Sequence, residues 1–75
     1  MQNTKTKLDA TVCDNVRRFR KLANLTQAEL AARAGSTQDH ISDIERGATR
    51  PTLGTIDKLS TAMGVTLADL IENRY

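Results

Sequence analysis

The chain has 75 residues, enough for one small domain with a modest core, and no separate ligand-sensing domain is expected. Eleven Lys and Arg against nine Asp and Glu leave a net charge of +2, which suits a polyanionic partner without demanding one. The single cysteine, Cys13, excludes an internal disulfide and a cysteine-based zinc site; there is no signal-like apolar run and no stretch of about 18 apolar residues, so a cytoplasmic protein is expected.

Residues 1–8 are polar and aperiodic and read as a flexible arm ahead of a single domain over 9–75. From Asp9 to Ala23, Val12, Val16, Phe19 and Leu22 recur at helical spacing with arginines between them, which predicts a first helix. Thr26 followed by Glu29 is a capping box that starts a second helix, ended by Gly35. Thr37 caps a third, Gln38 to about Arg46, which Gly47 stops. Pro51 and Thr52 open a fourth that carries Leu53, Ile56, Leu59 and Ala62 inward as far as Gly64. Thr66 with Asp69 starts a fifth. Nothing alternates as a strand would, so the class is all-α with five short helices.

The stretch TQAELAARAGSTQDHISDIERG places two helices on either side of one glycine. At about 100° per residue, Gln38, Asp39, Ser42, Asp43 and Arg46 share one side of the third helix, opposite Ile41 and Ile44. Leu30, Ala31 and Ala34 of the second helix face the same core, and the small alanines allow close approach. Two helices joined by so short a turn project the second outward, the geometry that enters a major groove.

On these residues, and on LTQAELA, Gly35 with Ala31 four positions before it, IERG and RPTLGTIDKLSTAMGV, the chain resembles the lambda-repressor-like helix-turn-helix family of phage repressors, Cro proteins and related bacterial regulators, over roughly Val12 to Ile71. The resemblance implies a double-stranded DNA operator as partner and helices two and three as the helix-turn-helix. It implies that Gln38, Asp39, Ser42 and Asp43 face bases and that Gln27 touches a backbone phosphate and braces the recognition helix. Arg46 lies near the phosphates, and Thr37, His40, Arg50 and Arg17 are assigned to the same backbone edge. Arg20 and Glu45 match a pair that forms an internal salt bridge in some relatives.

Two features depart from the family pattern: Ser36 stands at a usually apolar position, and Asp39 and Asp43 put negative charge toward DNA. An aspartate repels phosphate but can accept from cytosine N4, so these two would select cytosine while lowering general affinity. His40 has no second histidine beside it, and the acid, base, nucleophile and metal-ligand sets of an enzyme are missing, so neither catalysis nor a metal, cofactor or small-molecule ligand is expected. Leu67, Leu70, Ile71 and Tyr75 read either as core and chain end or, preferably, as a homodimer surface that pairs two recognition helices on an inverted-repeat operator. A phage-type repressor and a restriction–modification controller protein both suit this layout. The alternative is an antitoxin or another interaction module whose main partner is a protein.

Overall fold

A computed structural model describes residues 7–72. The described residues form five α-helices: α1 (Lys7–Leu22), α2 (Gln27–Ala34), α3 (Gln38–Arg46), α4 (Leu53–Met63) and α5 (Leu67–Ile71). α1 begins two residues before the expected Asp9, so the last two residues assigned to the arm are helical. Residues 1–6 of that arm, and Tyr75, lie outside the described residues. No helix among the described residues is long and apolar enough to cross a membrane.

Side chains close the helix starts as the sequence suggests. Thr26 Oγ1 accepts from the Glu29 N–H at 3.0 Å while Glu29 Oε1 accepts from the Thr26 N–H at 2.8 Å. Thr66 and Asp69 repeat this box at α5, and Thr37 and Thr52 cap α3 and α4 with single bonds. The Thr26 backbone bond, then its hydroxyl and Arg33, hold the Glu29 carboxyl below its ordinary value. This contribution to stability is therefore present above the ordinary carboxylate value and is lost as pH falls through the lower folded-state value.

The helix ends carry the tight turns. Gly35 and Gly47 adopt positive φ, +67° and +73°, a region that costs an L-residue strain. Ser36 N–H and Ala48 N–H then reach back to Ala31 O and Asp43 O, each at 2.8 Å, which closes both helix ends in three residues. α1 ends differently. Asn24 takes φ +58°, and Leu25 N–H donates to Arg20 O at 3.1 Å, folding the chain back toward α2.

One core collects Val12 and Val16 of α1, Leu25 of the following turn, Leu30 and Ala31 of α2, Ile41 and Ile44 of α3, Ile56, Leu59 and Met63 of α4, and Leu70 of α5. α3 packs on α1 and α2, whereas α5 packs on α1 and α4, so α1 touches both outer helices. Two expected core positions are corrected. Leu22 and Leu53 are 69% and 65% exposed, because each sits at a helix end beyond the reach of the facing helices. Leu25, which belongs to no helical repeat, takes the space at the α1 end instead.

The largest correction concerns Leu70. Expected in an intersubunit stripe, it is fully buried, because α5 is a five-residue helix that must give its one well-centred leucine to its own core. Leu67 is half-buried against that core, and Ile71 remains exposed. Replacing Leu70 by Ala should cost about 2–5 kcal/mol in urea or thermal denaturation through lost transfer energy plus cavity. Domains of this kind hold only about 5–15 kcal/mol in all, so a charged residue at 70 should unfold the chain rather than release a folded monomer.

Candidate nucleic-acid interface

α3 is divided lengthwise. Ile41 and Ile44 are completely buried, and Glu45 is buried beside them. Gln38, Asp39 and Arg46 are exposed and Ser42 and Asp43 half-exposed on the other side, as the 100° spacing places them. The buried isoleucines fix the rotation of the helix about its own axis, and the polar side chains are thereby presented outward.

The axial position of α3 is set by a polar cluster on its inner edge. Arg20 of α1 donates from Nε to Glu45 Oε2 at 2.7 Å and from Nη2 to Glu45 Oε1 at 3.0 Å, a two-point pair. Gln27, first residue of α2, donates from Nε2 to Glu45 Oε1 at 3.2 Å. Arg20 Nη1 also donates to Leu25 O at 2.9 Å, so the same guanidinium holds the turn that leads into α2. The bond to Glu45 keeps Arg20 charged, raising its pKa above the ordinary value against the opposing effect of burial.

One turn earlier on α1, Arg17 donates from Nη2 to Glu45 O at 2.9 Å. An exposed arginine assigned to the DNA backbone thus satisfies a free carbonyl at the C-terminus of α3, where positive charge is also favoured by the helix dipole. Arg46 pairs with Asp43 across one turn of the outer face, and Arg50 lies 3.2 Å from Asp9, both arginines remaining well exposed. Thr37 Oγ1 accepts from the His40 N–H at 3.2 Å. Ser36 Oγ and His40 Nδ1 are 3.0 Å apart. The hydroxyl at the usually apolar position is therefore engaged by the imidazole, which ties the turn to the first turn of α3.

Asn15 and Leu25 were not singled out by periodicity. Asn15 is 2% exposed, and its Nδ2 lies 2.9–3.2 Å from Asp69 O, Leu70 O and Glu72 O at the end of α5. Its position on the rim of the α1 apolar stripe, next to Phe19 and Val12 at helical spacing, was the available signal. With these bonds made, no buried side-chain nitrogen or oxygen among the described residues lacks a partner.

Known proteins carry the same framework. A helix-turn-helix family profile matches residues 16–70. An uncharacterised helix-turn-helix-type transcriptional regulator of Sinorhizobium fredii is 40% identical over 60 residues, 80% of this chain and 78% of the relative. Control protein C.BamHI of Bacillus amyloliquefaciens is 40% identical over 67% of this chain and 62% of its own length. Among solved structures, the hypothetical transcription factor NHTF from Neisseria superposes with a TM-score of 0.86 at 28% identity, covering 99% of this chain and 87% of the other. The restriction-modification controller protein C.AhdI from Aeromonas hydrophila does so at 0.79 and 27%, covering 83% and 90%.

The side chains of Arg20 and Glu45 are only 12% and 4% exposed, so each shields the other from an uncompensated buried charge. Glu45→Ala should therefore lose about 3–5 kcal/mol in urea denaturation by stranding Arg20. The Arg20→Ala, Glu45→Ala double substitution should cost clearly less than the sum of its parts, since the second change removes the charge that the first stranded.

Proposed function

The chain belongs to the helix-turn-helix family of DNA-binding transcriptional regulators, and from that premise we propose that it recognises an inverted-repeat operator as a homodimer, α3 of each subunit lying in a major groove. The observation that carries this reading is the split of α3 into a buried apolar side and an outward polar side, held rigidly by the Arg20–Glu45–Gln27 cluster. A reader of base edges needs such pre-positioning, because bidentate hydrogen bonds tolerate little misplacement.

In this reading Gln38 reads a base, and its amide suits the N6 and N7 of adenine. Asp39, Ser42 and Asp43 complete the base-facing row, the aspartates favouring cytosine N4. Arg46 and Arg50 neutralise phosphate, with Thr37 and His40 at the same edge. Gln27 and Arg17 reach the backbone only with the donors that Glu45 leaves over, so their first role is to hold α3.

One short helix reads too few bases to locate a site in a genome, which is the reason for a two-fold unit. With Leu70 in the core, the contact between subunits rests on Ile71 and the open side of Leu67, a small isologous patch. Half-site centres should then lie about one helical turn, 34–36 Å, apart. The likeness to two controller proteins supports a restriction–modification setting, in which the site would stand beside the protein's own gene.

Selection of bound sequences from random DNA tests the whole reading: an inverted repeat is expected, and enrichment of no sequence would reject it. Gln38→Ala should weaken binding to the selected site by about 1–3 kcal/mol and relax preference at one base of each half-site, leaving nonspecific DNA unaffected. Arg46→Ala should instead weaken all sequences and make the salt dependence shallower by about one unit. Equal loss on all DNA for Gln38→Ala would remove it from the base-reading row.

A further inference from the structure

At about 100° per residue, Asn15, Phe19, Val12, Val16, Arg20, the buried Cys13 and Arg17 come in that order around α1 over about 200°. The middle of this arc is core: Val12 and Val16 are buried, and Phe19 packs against them. Its two borders are polar, and each border grips a different helix by its C-terminal end. On one side Asn15 Nδ2 donates toward the last carbonyls of α5, at 2.9 Å to Leu70 O, 3.0 Å to Glu72 O and 3.2 Å to Asp69 O. On the other side Arg17 holds the Glu45 carbonyl and Arg20 the Glu45 carboxylate at the end of α3.

α1 is thus a splint between α5 and α3. α5 has only five residues, and its C-cap is extended rather than closed by a glycine turn, so its carbonyl end depends on a donor from elsewhere. Asn15 is that donor, and it is buried where water cannot substitute for it. Leu70 and the half-buried Leu67 pack α5 against the core, and Asn15 adds the directional contact that holds its carbonyl end.

We propose that Asn15 is a positioning residue for operator geometry: by fixing the direction of α5 relative to α3, it determines the half-site spacing that the dimer accepts. The inference rests on the dimer reading above, in which α5 carries the subunit contact. A dimer whose contact helix is held at one angle presents its two recognition helices at one separation. Loosening that angle changes which spacings are bound while leaving each recognition helix on its own splint contacts, Arg17 and Arg20.

The test compares the full chain and Asn15→Ala on DNA carrying one half-site and on inverted repeats whose spacer is lengthened or shortened by one or two base pairs. The unchanged chain should prefer one spacer by about tenfold or more, since adding a base pair both separates and rotates the half-sites. In Asn15→Ala that preference should fall to about threefold or less, with half-site affinity within about twofold, because none of the groups that would contact a half-site is held by Asn15. Ile56→Val, a mild core truncation in α4, serves as a control for lowered stability and should keep the sharp preference. If Asn15→Ala does not fold, Asn15→Gln carries the same amide on a longer stem and should shift or flatten the preferred spacing. Full-site and half-site binding falling in step, with spacing preference as sharp as in the unchanged chain, would overturn the inference while leaving the dimer intact. A wild-type chain that sediments as a monomer, and binds one half-site as tightly as two, would overturn both.

Discussion

The carboxylate of Glu45 is the point on which the helix-turn-helix geometry depends, because it receives donors from both helices that support α3. Arg20 comes from α1 and Gln27 from α2, and both end on the same buried group. Apolar packing by Ile41 and Ile44 is non-directional and fixes mainly the rotation of α3, not its position along its axis. The two-point guanidinium pair supplies the missing direction. Its cost is the desolvation of two charges, which the interaction offsets only because Leu25 O and Gln27 take up the remaining donors and acceptors. A small core can sustain one such cluster, and it stands where orientation matters most.

The outer face of α3 is governed by a different balance. Two aspartates there carry negative charge, which on DNA would oppose phosphate, while Arg46 partly neutralises Asp43 through the pair they form one turn apart. In the proposed reading such a face would give up general affinity for DNA in exchange for discrimination, since repulsion is relieved only where a base offers a donor. Ser36 belongs to the same economy of polar groups. Its bond with His40 replaces the apolar contact usual at that position with a directional one, and the turn stays tied to the helix it precedes.

α1 is the element that joins the two halves of the molecule. It touches α3 through arginines and α5 through an asparagine, with valines between. α4 closes the core from below and carries little polar connection to either outer helix among the described residues: its buried Ser60 hydroxyl is spent within α4, on Asp57 O. Apart from Gln27 of α2, the side-chain bonds described above that hold α3 and α5 come from α1. This suits a domain of five short helices, which has no second layer of support.

Much of this was legible in the chain. The threonine caps, the glycines at 35 and 47, the period of the apolar residues and the division of α3 are local properties, set by backbone sterics and by side chains within four residues of one another. The resemblance to the helix-turn-helix family rested on that local order, and the resemblance in turn implied that Arg20 meets Glu45, as it does. What the chain could not declare was the destination of groups whose partners are distant in sequence. Leu22 and Leu53 fit the helical repeat yet face solvent, because burial requires a facing helix and none extends to their ends. Leu70 reads preferably as part of a surface stripe, and only the packing of α5 between α1 and α4 decides for the core. Asn15 and Arg17 look like solvated helix residues until the carbonyl ends of α5 and α3 arrive beside them, 54 to 57 and 28 residues away along the chain. Periodicity records which face of a helix is apolar, and it places Asn15 at the rim of that face, but it does not name the backbone that a side chain there will bond, so that part of the protein was determined by tertiary structure alone.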